Sequence, residues 1–309
     1  MSEPSQRTAR NRNPTTKTPR HERTQRAGNR DSDVAAAALL TEAARSIPRT
    51  DAEYLLVHLL QVPRHELYVG SAITSRTASR FRRLVLRARN GEPVQYLTRS
   101  APFLDFQVQV DHRVLIPRPE TEELIVRALS RVRSGCEQQA VSPKLFAVDY
   151  GTGSGCIAIA LALAFPQASI LAVDASKAAL AVAAQNLARH GLVSRVRLAQ
   201  ARSLEERTLS RLRGRLDLLI SNPPYVPTPR LARLHRTVRR EPRLALDGGP
   251  KGANIVAMLL TQGLGLVRPG GLLAIEIDAT HEAVVRKLAP DAEIERDLAG
   301  RIRYAFLKR

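Results

Sequence analysis

The tetrapeptide Asn222-Pro223-Pro224-Tyr225, one residue beyond the apolar run 216–220, holds the residue types that most constrain the chemistry of this chain. A nitrogen bonded to an sp² carbon, as in a carboxamide or the exocyclic amine of a base, is a poor nucleophile because its lone pair is delocalised into its neighbour. The side-chain oxygen of Asn222 and the backbone carbonyl of Pro223 can each accept one N–H bond from such an NH₂ group, which aims the nitrogen at an electrophile and favours its pyramidalisation. Paired prolines fix φ and remove competing donors, so the carbonyl is held still. Tyr225 offers a flat face to a planar amide or base. Asn222, Pro223 and Tyr225 are therefore the expected catalytic residues and, with Pro224, the expected substrate-binding set. In-line attack by a nitrogen held in this way asks mainly for positioning, an effect worth roughly 7 to 11 kcal/mol in favourable cases. It demands no metal, and His58, His65, His112, His190, His235 and His281 show no metal-ligand spacing.

A site for the donor is indicated by Asp149-Tyr150-Gly151-Thr152-Gly153-Ser154-Gly155, which follows an apolar run and opens a helical one. Glycines let the backbone approach a ligand closely, and a helix N-terminus presents free N–H groups. Asp174 closes the next apolar run, where a carboxylate can accept the hydroxyl protons of a ribose. A dinucleotide-binding G-x-G-x-x-G would place its third glycine at position 156, which is Cys156. The G-x-G-x-G spacing after an acid is similar instead to that of S-adenosylmethionine-dependent methyltransferases. S-adenosylmethionine is thus the expected cofactor, with Gly151, Thr152, Gly153, Ser154, Gly155, Asp174, Arg202 and Asn222 as its expected contacts.

Rigid elements must hold these motifs in place. From residue 118 the hydrophobic period alternates: helix 120–133, strand 145–149, helix 155–164, strand 169–174, helix 176–190, strand 195–199, strand 216–221, helix 252–266, strand 271–277, helix 279–288 and a last strand near 302–308. This predicts an α/β, doubly wound and mostly parallel sheet covered on both faces, with ligands bound beyond the carboxyl ends of its strands. Both motifs fall at such ends. Upstream, Leu39, Leu40 and Ala43, then Leu55, Leu56, Leu59 and Leu60, then Phe81, Leu84, Val85 and Ala88 recur at steps of three and four. They predict a small helical domain over 31–98. Phe106, Val108 and Val110 alternate with polar residues, Asp111-His112-Arg113 interrupts, and Val114-Leu115-Ile116 resumes, which predicts a linking β-hairpin over 99–117. The sheet domain then takes 118–309.

Of the 309 residues 44% are hydrophobic and 25% charged, a balance that suits a globular chain and excludes a fibrous or disordered one. No run approaches the roughly 18 apolar residues of a spanning helix, and the N-terminus is polar where a secretory signal is apolar. With only Cys136 and Cys156 and no disulfide-scaffold or metal spacing, the expected setting is the cytoplasm, without membrane or metal. The net charge of +19 points to an anionic partner. Residues 1–30 carry eight basic residues against Glu3 and Glu22, which reads as a disordered basic arm. That arm is the expected place of any direct nucleic-acid contact, with a solubilising role at least as natural, and the chain is expected to be a monomer.

Taken together, Leu115-Ile116-Pro117-Arg118-Pro119-Glu120-Thr121-Glu122-Glu123-Leu124, Asp149 through Gly155, Asn222-Pro223-Pro224-Tyr225 and Glu241-Pro242-Arg243-Leu244-Ala245-Leu246-Asp247-Gly248-Gly249 form an ordered set. Gly91-Glu92-Pro93-Val94-Gln95-Tyr96-Leu97 precedes them. From about residue 50 onward the chain resembles the PrmC (HemK) family, the glutamine N5-methyltransferases of peptide chain release factors. The resemblance implies a helical substrate-recognition domain and a class I methyltransferase domain with a seven-stranded sheet. It also implies methylation of the glutamine in the Gly-Gly-Gln loop of class 1 release factors. The glycine loop would hold the methionine part of the cofactor and Asp174 its ribose, while Asn222, Tyr225 and the Pro223 carbonyl hold the substrate glutamine. Glu120 and Thr121 either border the cofactor pocket or serve the start of helix 120–133.

The chain departs from the family pattern at Tyr150, at Ala201 and Arg202 near the adenine side, and at Asp278 and His281 after Glu276-Ile277. Three other readings stay open. One is a ribosomal-protein glutamine methyltransferase, which shares the Asn-Pro-Pro-Tyr motif. Another is a nucleic-acid adenine N6-methyltransferase, which holds a flipped base in the same way. The last is a non-catalytic binding protein that has lost its cofactor affinity.

Overall fold

The computed structural model describes residues 34–69, 72–134 and 144–309, so the basic arm and Cys136 lie outside the described residues. The apolar stripes near the N-terminus select helices whose buried faces meet. α1 (Ala36–Ala43), α2 (Arg49–Leu60), α3 (Ser75–Arg89) and α4 (Val94–Thr98) close over a core of their own around Leu39, Leu40, Leu55, Leu56 and Phe81. Pro48 and Pro93 stand at the N-caps of α2 and α4, where a fixed φ and a missing N–H cost nothing. Thr74 caps α3 by accepting the Thr77 N–H at 3.3 Å. The short strands β1 (Val34–Ala35) and β2 (Ala72–Ile73) pair antiparallel beside them.

β3 (Ala101–Phe103) and β4 (Phe106–Val108) form the linking hairpin, turning at Leu104 with φ +50. It is shorter than the alternating pattern suggests, and residues 114–116 are not a strand. Asp111 instead accepts the Arg113 N–H at 3.0 Å and pairs with its guanidinium, which curls the chain away from any ladder. Val110, Val114 and Ile116 are nevertheless buried, so the segment has the apolar spacing of a strand without the pairing.

β5 (Phe146–Tyr150), β6 (Ser169–Asp174), β7 (Val196–Gln200), β8 (Leu216–Ser221), β9 (Val267–Glu276), β10 (Glu293–Arg296) and β11 (Ile302–Lys308) make one seven-stranded sheet in the order β10-β11-β9-β8-β5-β6-β7. β5 to β9 are parallel, and β11 runs antiparallel to β9 and β10. Alternate strand residues feed two cores, as the pleat requires. Ala147, Ile170, Leu218 and Ala274 face α5 (Pro119–Ser134), α6 (Cys156–Ala164) and α7 (Lys177–Arg189). Val148, Leu171, Leu219 and Leu273 face the side that holds α8 (Arg207–Ser210), α9 (Asn254–Gln262) and α10 (Glu282–Leu288). From β5 the chain runs outward through β6 and β7, then crosses back to β8, so the crevice of the sheet opens at the carboxyl ends of β5 and β8.

Candidate active site

The loop after β5 takes left-handed backbone at Gly151 (φ +80), Gly153 (φ +55) and Gly155 (φ +84), which glycine adopts without strain. Asp149, fully buried at the end of β5, pins it: Oδ2 accepts the Thr152 hydroxyl at 2.6 Å and the Ala158 N–H of α6 at 3.1 Å. Burial pushes the Asp149 carboxyl up to about 7 against the pull of these donors, and its Oδ1 has no partner among the described residues. Not every residue of this loop reaches the pocket. Thr152 and Ser154 are buried, the Ser154 carbonyl accepts from Asn186 Nδ2 at 2.8 Å, and Gly155 backs onto Ala183 of α7. These three shape the loop, while Gly151 and Gly153 line the pocket. Asp174, at the end of β6, accepts the Gly153 N–H at 2.9 Å and the Ser176 N–H at 2.8 Å, one on each oxygen. Burial raises its pKa, opposed by those N–H groups, and each oxygen retains a lone pair for a ribose hydroxyl.

Tyr150 and Arg202 meet at one wall of the crevice. The Tyr150 hydroxyl donates to the Arg202 carbonyl at 3.0 Å, and the Arg202 N–H donates to Glu206 at 2.6 Å. The turn after β7 is thereby held, with Ala201 and Arg202 on the pocket wall.

At the end of β8 the Ser221 hydroxyl donates to the Tyr150 carbonyl at 2.7 Å and ties the two motif loops together. Asn222 Nδ2 donates to Thr121 Oγ1 at 2.8 Å, and Thr121 Oγ1 in turn donates to Glu276 Oε2 at 2.7 Å. Tyr225 donates its hydroxyl to the other oxygen of Glu276 at 3.2 Å. Thr121 is 2% exposed and Glu276 1%. An ionised carboxylate only accepts, so Thr121 must give its single proton to Glu276 and present a lone pair to Asn222. The amide nitrogen therefore sits on Thr121, and the side-chain oxygen of Asn222 is left without a donor among the described residues. Burial pushes the Glu276 carboxyl up to about 7, against the Thr121 hydroxyl and the charge of Arg303 on β11.

Tyr225 does not line the pocket itself, unlike Asn222, Pro223 and Pro224. Its ring meets His281 edge-on at 6.3 Å. His281 Nδ1 accepts the Asp278 N–H at 3.0 Å, while Asp278 accepts the Thr280 N–H at 3.0 Å, a reciprocal cap at the end of β9. Asp278 and His281 thus form a local brace behind Tyr225. Behind the tetrapeptide, Val226 donates to the Leu246 carbonyl at 2.8 Å and accepts from the Gly248 N–H at 2.9 Å. A Cβ on Gly252 would come to 2.4 Å from the Tyr225 carbonyl, and one on Gly248 to 2.8 Å from that of Pro224. Glycine is needed there because two backbones touch.

The sequence singles out neither Ser221 nor Glu276 for a role, and it leaves Thr121 between capping and the pocket. Glu276 could have been found as the lone acid within the apolar run 272–277. The pocket between the two loops measures about 340 Å³, within the usual range for a small-molecule site. Its glycine floor, where side chains would fill the space, and the free lone pairs of Asp174 fit S-adenosylmethionine.

The fold and this crevice define a class I S-adenosylmethionine-dependent methyltransferase. Residues 34–98 match the PrmC N-terminal domain family and residues 138–240 the methyltransferase small domain family. The chain is 42% identical over 244 residues to the release factor glutamine methyltransferase of Chlorobaculum tepidum, covering 78% of this chain and 82% of that protein. It is 40% identical over 265 residues to the enzyme of the same name from Moorella thermoacetica, covering 83% and 89%. It is 34% identical to that of Deinococcus radiodurans, covering 91% and 98%. The chain belongs to the release factor glutamine methyltransferase family. Among solved structures, the hMettl16 catalytic domain in complex with MAT2A 3′UTR hairpin 1 shares the fold, with a TM-score of 0.51 and 14% identity over 91% of this chain and 93% of that one. Among the described residues no helix is long and apolar enough to cross a membrane.

Proposed function

We propose that this chain methylates the side-chain amide nitrogen, N5, of the glutamine in the Gly-Gly-Gln loop of class 1 peptide chain release factors, working in the cytoplasm. The observation that carries this reading is the fixed amide of Asn222. With its nitrogen held by Thr121, its oxygen accepts one substrate N–H while the Pro223 carbonyl accepts the other. Both acceptors pull on the same NH₂, which reduces its conjugation and turns its lone pair toward the donor. S-adenosylmethionine, when bound, supplies the electrophilic methyl on a sulfonium. Gly151 and Gly153 hold its methionine part, Asp174 its ribose, and the turn at Ala201 and Arg202 borders its adenine. The methylated nitrogen is acidic enough to release its proton to water, so no strong base is required. Tyr225, engaged by Glu276 and His281, keeps the tetrapeptide in place from the side away from the pocket. The helical residues 34–98 recognise the rest of the release factor, with 99–117 as linker and 118–309 as catalytic body. Support for a glutamine over an adenine comes from the names of relatives at 34–42% identity, set against the fold-only likeness to an RNA-bound structure.

The test is transfer of labelled methyl from S-adenosylmethionine to purified release factor, to its loop Gln→Ala variant, and to bulk DNA and ribosomal protein in parallel. Label on the parent factor alone is the expected result. Label on DNA or ribosomal protein in its place would overturn the assignment of substrate.

A further inference from the structure

The segment between Tyr225 and Asp247 is built of 3-10 turns at Thr228–Arg233, Val238–Arg240 and Arg243–Ala245. Over 228–243 it carries six arginines and a single acid, Glu241. Glu241 is buried, paired with Arg118, and accepts the Ile116 N–H at 3.1 Å, while Arg243 pairs with Asp247 at 3.1 Å. Arg230, Arg233, Arg236, Arg239 and Arg240 are exposed and have no ion-pair partner among the described residues. Such a run of like charge repels itself and adds nothing to the fold. Its position is fixed all the same: a Cβ on Gly91, in the turn between α3 and α4, would lie 3.2 Å from Cδ of Arg236.

These turns enclose a groove of about 350 Å³, floored by Leu231, Leu234 and Leu246 and bordered by Arg239 and Arg243. A single stretch, 241–246, separates it from the cofactor pocket. Glu241, Arg243 and Leu246 face the groove, and Pro242, Leu244 and Ala245 face the pocket. Leu244 is 58% exposed at that divide. An apolar floor with an arginine border has the composition of a protein interface. Surfaces that bind single-stranded nucleic acid interleave basic residues with large aromatic rings for base stacking, and 228–245 contains no Phe, Tyr or Trp. Continuity with the pocket makes the occupant part of the molecule that delivers the glutamine.

We propose that this arginine-bordered groove is a second docking site for the release factor, which places there an extended segment carrying a carboxylate next to an apolar side chain. The inference rests on the functional reading above and names a surface that the reaction itself does not require.

Steady-state transfer to purified release factor tests it, comparing the parent with Arg239→Glu, the double variant Arg239→Glu/Arg240→Glu, and a control, Arg213→Glu, in the turn that leads into the far end of β8. The expected result is a rise of about tenfold or more in KM for the release factor in the reversal variants, with kcat and cofactor affinity near parental and a flatter dependence on salt. The control should match the parent. A double variant that keeps the parental KM would overturn the proposal. So would loss of poly(U) RNA binding in that variant at unchanged KM, which would make the strip an RNA surface. Absence of transfer by the parent would overturn the functional reading and this proposal with it, an outcome distinct from failure of docking, in which the parent stays active.

Discussion

At the scale of residues, the orientation of a single amide decides whether the site works, and three side chains set it. Asn222→Ala removes the acceptor and leaves the glycine loop and Asp174 untouched. Cofactor affinity is expected to stay within a few-fold while transfer falls by about 10³, measured by calorimetry and labelled-methyl turnover. Near-parental turnover would sink the account of amide orientation. Thr121→Val keeps the shape and removes the lone pair that holds Asn222 Nδ2, so kcat is expected to drop by about 10² with KM for the cofactor unchanged, and Thr121→Ser to recover most of it. Glu276 adds a pH dependence. Protonated, it can donate to Thr121, whose own proton then turns toward Asn222 and favours the flipped amide, with NH₂ facing the substrate. The groups around it are Thr121 and Glu120 from α5, Arg303 from β11 and Tyr225. Activity is therefore expected to rise with pH through about 7, where the Glu276 carboxyl ionises. Glu276→Gln should lower kcat and erase that limb of the kcat profile. A limb of parental shape in the variant would assign the titration elsewhere.

At the scale of elements, what was legible in the sequence is what local pattern determines. The parallel strands and their helices show as runs of apolar residues, and the glycine loop and Asn-Pro-Pro-Tyr appear where strands end. β10 was missed because Glu293-Ile294-Glu295-Arg296 is an edge strand with one apolar residue, its arginine partners Arg127 and Arg131 supplied by α5. The turn at Asp111 misled because burial of Val114 and Ile116 imitates a strand. Thr121 and Glu276 were unreadable as a pair, being brought together only when α5 packs against β9. The glycines of 248–252 show the same gap: their spacing hints at a turn, yet only the fold reveals which backbone they touch. Gly252 combines φ +77 with a virtual Cβ 2.4 Å from the Tyr225 carbonyl. Gly252→Ala is therefore expected to shift the tetrapeptide, reducing kcat by about 10² or more and costing about 2–4 kcal/mol of stability. Gly191, at φ +67 with nothing within 4 Å, serves as comparison. Gly191→Ala should cost only about 1 kcal/mol and leave turnover alone. Equal losses of stability in the two variants, read by denaturant titration, would remove the close contact from the explanation.

At the scale of the whole molecule, the site sets function against stability through its buried acids. Asp149 and Glu276 are both fully enclosed and both pushed up to about 7. A carboxyl whose folded pKa exceeds its unfolded value of about 4 holds its proton more tightly in the folded chain. It contributes stability that is complete below pH about 4 and is lost as pH rises to about 7, at up to about 1.4 kcal/mol per pH unit for each group. His281, buried and held below its ordinary pKa, works the other way, since its contribution is lost as pH falls through about 6.5. His58 is lowered by burial in the same way, but Asp51, Asp174 and Glu241 are raised by burial alongside Asp149 and Glu276, so the raised carboxyls outnumber the two imidazoles, and the acids lowered by arginine partners, such as Asp111 and Glu42, titrate below this window. The melting temperature at fixed ionic strength is therefore expected to fall between pH about 5 and pH about 7.5 and then level off, with Glu276→Gln making the fall shallower. A melting temperature that climbs across that range would mean that the two acids are better solvated than their enclosure implies. If the fall is seen, enzyme activity and fold stability move in opposite directions over the same interval. That follows from placing an acceptor carboxylate where only the reaction has use for its charge.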